Sequence, residues 1–290
     1  MSLITSKISR VRPLASRLPG HGPRRGAAFL ALALLGLPLS CGDDDGSGGG
    51  WDAQLQRDAN VSPDAEGSGD ASTSGDPDAA NVPPSRWLSL DDVVNARDLG
   101  GYAGAGGQMV RWRRLMRGGT LSDLTSQGCA DFPGLGVTTV IDLRESGEQD
   151  LAPQPACVTS ICQVVSVPMP KILPPSEANY LDLMAQSEAS VALLFATLGQ
   201  AGAGPAYIHC VIGRDRASFA SALLLLALGS DRAAVLEDFL LSNDAGISVD
   251  AAHLEAVLDA IDAEGGIGPY LTRLGVSQAQ LDLFRAWALE

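Results

Sequence analysis

One run constrains this chain more than any other stretch: Tyr207-Ile208-His209-Cys210-Val211-Ile212-Gly213-Arg214-Asp215-Arg216-Ala217-Ser218. A short apolar segment, reading as a strand, ends at a cysteine. A turn with a glycine follows, an arginine stands six positions after the cysteine, and an apolar run reading as a helix completes the unit. The first backbone N–H groups of such a helix have no intrahelical partner and point into the turn. Together with the positive end of the helix dipole they favour an anion there. The same field favours a thiolate over a thiol, which makes Cys210 a candidate nucleophile. Arg216 brings a planar fork that holds two phosphate oxygens at once, as a lysine does not. Gly213 supplies a position free of the usual limit on φ. The run thus predicts a phosphate-binding cup formed by Val211, Ile212, Gly213 and Arg214, with Cys210 at its floor and Arg216 folded over it. His209 reads as a structural residue that bonds loop backbone.

The surroundings predict a fold able to carry that cup. Strands read at about 110–116, 137–143, 164–169 and 206–210, and helices at about 121–132, 177–200, 215–229, 231–241, 250–263 and 277–289. Two of the strands are near-continuous apolar runs, as buried parallel strands are. Alternating strands and helices imply an α/β fold, with a central, mainly parallel sheet flanked by helices. The loop then sits at the carboxyl end of a central strand, where such sheets place ligands.

The first 40 residues contain six basic residues and no acidic one, and an apolar run spans 27–39. That run is shorter than the roughly 20 residues of a membrane-spanning helix. It reads as a signal peptide over residues 1–40. Leu39-Ser40-Cys41-Gly42 is similar to a bacterial lipoprotein cleavage site, with Cys41 as the lipidated residue. Residues 41–85 are rich in Gly, Ser, Asp, Ala and Pro, and read as a disordered acidic tether to a catalytic domain over 86–290.

Removing a leader with six positive charges takes the formal net charge from −14 to about −20. Such an acidic surface argues against a nucleic-acid partner. Locally the cup is basic, through Arg214 and Arg216, with Arg111, Arg113, Arg114 and Arg117 as further candidates. Besides Cys41 and Cys210, three cysteines remain: Cys129, Cys157 and Cys162. In an oxidising compartment one pair is free to bridge, and the sequence does not choose which. With three histidines and no CxxC, no metal site is indicated, and the thiol chemistry expects no cofactor.

His209-Cys210-x-x-Gly213-Arg214-Asp215-Arg216 resembles the active loop of protein-tyrosine phosphatases, and more closely the bacterial tyrosine/serine phosphatases whose loop reads HCxxGKDRTG. Asn95-Ala96-Arg97-Asp98-Leu99-Gly100-Gly101-Tyr102 is similar to an N-terminal element of that group. So are Leu115 to Thr125, the strand end Asp142-Leu143-Arg144, Leu241-Ser242-Asn243 and Tyr270-Leu271-x-x-Leu274-Gly275. The resemblance covers about residues 86–290. It implies a protein-tyrosine/dual-specificity phosphatase-like fold and a cysteine-dependent phosphatase. The expected substrates are phosphoproteins, with phosphoinositides or other small phosphoesters as the alternative, and a catalytically weak phosphate-binding module as a third reading. Asp215 is similar to the loop aspartate of phosphoinositide phosphatases and is the expected general acid, with Asp182 in reserve. Arg97 with Asp98, and Asp142 with Arg144, either line the mouth or brace structure. Three positions depart from the group. Arg214 replaces a lysine. Ala217 replaces a hydroxyl residue that assists breakdown of the cysteinyl-phosphate, unless Ser218 substitutes. Lys171 stands where some relatives carry an acid.

Overall fold

Five strands form one sheet in the order β1-β2-β5-β3-β4. They are β1 (Arg97–Asp98), β2 (Leu115–Gly118), β3 (Thr139–Asp142), β4 (Gln163–Ser166) and β5 (Ala206–His209). The computed structural model describes residues 85–290; the predicted leader, Cys41 and nearly all of the tether lie outside the described residues. β5 is central and parallel to both β2 and β3, β3 is parallel to β4, and only β1 is antiparallel to its neighbour. All four residues of β5 are buried, as expected for a parallel strand covered on both faces. Its register sets His209 beside both Gly118 and Asp142, so three strands end together at the Cys210 side.

The strand period of two sorts side chains onto two cores. Leu115, Ile141 and Ile208 join the larger cluster, while Met116, Val140 and Tyr207 join the smaller one. Three short helices, α1 (Ser126–Asp131), α2 (Ser146–Leu151) and α3 (Ala156–Thr159), flank the strands in the first half of the domain. The larger core is built with α4 (Glu177–Gln186), α5 (Glu188–Leu198), α6 (Asp215–Leu228), α7 (Arg232–Leu240), α8 (Ala251–Ala263), α9 (Ile267–Arg273) and α10 (Gln278–Ala288). α6 follows directly from the loop after β5, is buried along nearly its whole length, and stops at Gly229 in the left-handed conformation. Side-chain caps at Ser176, Asp231, Asp250 and Ser277 begin α4, α7, α8 and α10.

Several expected boundaries move. The strand expected over 110–116 forms only from Leu115 to Gly118. Arg113 adopts φ 60, a turn that ends any extended run before it, and Val110 bridges Leu289 instead. The helix expected over 177–200 is two helices bent by 64°, because Ser187 leaves helical geometry at φ −99 and ψ 8. α2, α3 and α9 are too short to show an apolar period, and β1 is a charged dipeptide. Of the three remaining cysteines, Cys129 and Cys157 are bonded, with Cα atoms 5.7 Å apart, and Cys162 is a buried free thiol.

Candidate active site

Cys210 follows the last residue of β5 and is almost fully buried, at 3% exposure. The next four residues curve back before α6 begins at Asp215. Among the described residues, the amide N–H groups of Val211, Ile212, Gly213 and Arg214 donate to no protein acceptor. Four unpaired donors at a helix entrance are an arrangement that favours an anion. Gly213 is indispensable to its shape: φ is +70, and a Cβ there would meet the Gly118 carbonyl carbon at 2.5 Å. The end of β2 therefore approaches the loop backbone to backbone.

The underside of the loop is held by buried ions. Arg117 donates to the Gly213 carbonyl at 2.6 Å and to the Ser218 hydroxyl at 2.5 Å, and Asn95 donates to the same carbonyl at 3.0 Å. Asp238 receives Arg117 at 2.6 Å and Arg97 at 2.8 Å. Burial alone would raise the Asp238 carboxyl, but the two arginines hold it below its ordinary 3.8. Burial and the charge of Arg97 pull Arg117 down to about 10. Two guanidiniums against one carboxylate leave one net positive charge under the cup, which favours an anion above it.

His209 is fixed from both sides. Its Nδ1 lies 2.9 Å from the Cys210 carbonyl and its Nε2 2.7 Å from Gln154 Nε2, which also donates to Asp142 at 2.9 Å. The tautomer that satisfies every contact is neutral, with the proton on Nδ1 given to the Cys210 carbonyl. Burial holds the imidazole below its ordinary 6.5, against the pull of Asp142. Asp142 in turn receives the fork of Arg144 at 2.7 and 2.9 Å; burial raises it, and the hydrogen bonds and charge of Arg144 outweigh that and lower it.

Arg216 sits in the first turn of α6, and its two terminal nitrogens donate to Glu148 of α2 at 2.5 and 2.9 Å. That hydrogen-bonded fork holds Glu148 below its ordinary 4.5. Asp215 receives the Tyr180 hydroxyl at 2.8 Å and the fork of Arg214 at 2.9 and 3.1 Å. Tyr180 is itself locked, stacked on His253 with ring centroids 5.5 Å apart. Cys210, Glu148, Lys171, Arg214, Asp215 and Arg216 together line a cleft of about 160 Å³, while Tyr180 and His253 line a neighbouring one. Among the described residues, no group of three or more His, Cys, Asp or Glu side chains is placed to hold a metal ion.

The structure therefore gathers Cys210, Val211, Ile212, Arg214, Asp215 and Arg216 around one cleft, with Gly213 turning the loop beneath it. Asp182 is exposed on α4 and lines none of it. Ser218 does not face the cup: its hydroxyl is buried against Arg117, so it does not replace the hydroxyl lost at Ala217. Arg97, Asp98, Asp142 and Arg144 are all buried braces. Of the four candidate arginines, only Arg117 reaches the loop, and from below; Arg111 pairs with Glu290, and Arg113 donates to the Gly134 carbonyl. Glu148 and Gln154 escape a sequence reading, since the only signal is an acid and an amide shortly after Asp142-Leu143-Arg144.

The tyrosine phosphatase family model matches residues 88–290. A Cupriavidus necator protein named as a tyrosine-protein phosphatase is 31% identical over 244 residues, covering 70% of this chain and 89% of its own length. The triple specificity protein phosphatase PtpB of Mycobacterium tuberculosis is 29% identical over 215 residues, covering 60% of this chain and 76% of its own. Among solved structures, P. aeruginosa TpbA overlaps at 18% identity with a TM-score of 0.33, over 58% of this chain and 90% of that one, too slight an overlap to bear on the fold. With the family spanning the whole described domain, the chain belongs to the tyrosine phosphatase family and is a hydrolase of phosphoric monoesters.

Proposed function

We propose that this protein dephosphorylates phosphotyrosine in proteins through a cysteinyl-phosphate, as an exported enzyme tethered to a bacterial membrane by lipid on Cys41. What carries the proposal is buried Cys210 beside four unpaired N–H donors, in a cleft that it lines together with Arg216. The thiolate attacks phosphorus while the bond from phosphorus to the tyrosine oxygen breaks, and Asp215 gives that oxygen its proton. Water, deprotonated by Asp215, then attacks phosphorus, and the sulfur leaves as thiolate with release of inorganic phosphate. The amides of Val211, Ile212, Gly213 and Arg214, with Arg216, hold the equatorial oxygens as charge gathers on them. Glu148 aims the Arg216 fork, and Tyr180 with Arg214 orients the Asp215 carboxyl.

Export is supported by the basic leader and by the Cys129–Cys157 bond, which suits an oxidising compartment. A phosphoinositide or small-phosphoester substrate is the second reading. It is favoured by a further cleft of about 290 Å³ that shares Arg214 and Asp215 with the first. A weak phosphate-binding module rests on Ala217 and Lys171, the two departures that bear on turnover.

Hydrolysis of p-nitrophenyl phosphate under reducing conditions, beside Cys210→Ser, tests the chemistry; activity is expected to fall at least about 10⁴-fold in the variant, as on loss of other enzyme nucleophiles. Wild type without Cys210-dependent hydrolysis would sink the enzymatic mechanism. Phosphotyrosine peptides assayed against phosphoinositides decide the substrate. Membrane partition that survives Cys41→Ala removes lipid as the anchor.

A further inference from the structure

We infer that Lys171 selects phosphotyrosine peptides carrying an acidic residue beside the phosphotyrosine, an inference that rests on the phosphotyrosine reading above. Five charged side chains line the cleft over Cys210. Four of them are committed to one another: Arg216 with Glu148, and Arg214 with Asp215. Lys171 is exposed and, among the described residues, has neither a hydrogen bond nor an ion pair; with Arg216 given to the phosphate itself, the Lys171 charge, which also acts on Glu148, is the one left for a group beside the phosphate.

Its position is defined by its neighbours. Met169 and Ile172 are buried in the larger core, which pins the segment on either side and leaves Lys171 between them at the rim. The same wall carries Leu173, 63% exposed, and across the cleft stand Val211 at 41% and Ile212 at 37%. Exposed apolar side chains around a phosphate cup suit an aryl ring carrying the phosphate, and a cation beside that collar suits an anion close to the ring. An acidic residue next to phosphotyrosine presents both groups. A small polyphosphate presents the charge and leaves the collar without a partner, which is why the peptide is the favoured occupant.

The protein as a whole opposes such a ligand, with a formal net charge of −14. At physiological ionic strength charges beyond about 8 Å are largely screened, so the group at the rim outweighs the distant surface. A solvated pair of this kind is worth about fivefold in affinity.

The experiment measures kcat/KM for three phosphotyrosine peptides that differ only in one flanking residue, Asp, Ala or Lys, at physiological salt. Wild type, Lys171→Ala and Lys171→Glu are compared through the Asp-to-Ala ratio within each enzyme, which cancels any change in the chemical step. The ratio is expected to be about five in wild type, about one in Lys171→Ala and below one in Lys171→Glu, where the Lys peptide becomes the best of the three. An Asp-to-Ala ratio that is the same in wild type and Lys171→Ala overturns the inference while leaving the phosphotyrosine reading intact. Absence of Cys210-dependent hydrolysis on all three peptides overturns both. A soluble inositol bisphosphate hydrolysed more efficiently than the Asp peptide, with that advantage lost in Lys171→Ala, overturns the peptide as occupant.

Discussion

The two sides of the Cys210 loop are built on opposite terms. Below it, Arg97, Arg117, Asp238 and Asn95 are buried and meet one another or the loop through hydrogen bonds and ion pairs. Above it, four backbone N–H groups have no protein acceptor, and Val211, Ile212 and Leu173 face solvent. The underside uses its polar groups to hold the positive-φ turn at Gly213 in place; the upper side leaves its N–H donors open, as the proposed phosphate site requires. Binding capacity at the mouth thus depends on satisfaction at the floor.

The largest way to break this contrast is from below. Asp238→Ala leaves two buried guanidiniums without their counter-charge and is expected to cost about 3–5 kcal/mol, read as a lower midpoint in urea unfolding. A midpoint unchanged from wild type would mean that water screens the cluster. Next comes Glu148→Gln, which takes the charge from the acceptor of Arg216. Its kcat/KM is expected to fall about tenfold, in proportion to the loss of a charge-assisted bond, with little change in the unfolding midpoint because Glu148 is partly exposed. Equal losses of stability and activity would make Glu148 a brace.

A subtler test uses pH. Neutral His209 lies below 6.5 when folded, so the unfolded chain takes up its proton first as pH falls. Stability from this residue is complete above 6.5 and declines below it. Asp238 and Asp142, held under 3.8, keep their contributions above that value and lose them on further acidification. Urea midpoints across this range should therefore fall from pH 6.5 downward, with a shallower slope in His209→Asn; an identical slope would exclude His209 as the cause. The smallest effect is at Asp182, where Asp182→Asn should stay within about 0.5 kcal/mol and leave the rate unchanged, as for an exposed helix position.

The loop was legible because its chemistry is contiguous: strand, cysteine, glycine, arginine and helix follow one another within a dozen residues. The central parallel sheet was legible through the apolar runs of β3 and β5. What supports the loop was not. Glu148 lies 68 residues from Arg216, Gln154 lies 55 from His209, and Asp238 lies 121 from Arg117, and no local period links such partners. Ser218 misled for a related reason. Adjacency to Ala217 suggests a shared role, but successive helical residues point about 100° apart, and Ser218 turns toward Arg117. The break at Ser187 had a local cue, the polar stretch Gln186-Ser187-Glu188-Ala189-Ser190, but helix-compatible residues on either side read as one helix.

The Cys129–Cys157 bond closes a ring of chain that contains β3, Glu148 and Gln154. Both groups that reach the loop from this side, one to Arg216 and one to His209, are therefore carried inside a covalent loop. A reductant added to protect the Cys210 thiol also acts on that ring, whose two cysteines are less buried than Cys210. Thiol protection and scaffold integrity thus draw on the same redox poise in opposite directions, and full activity belongs to a window of reductant strength in which one sulfur is free while two others stay joined.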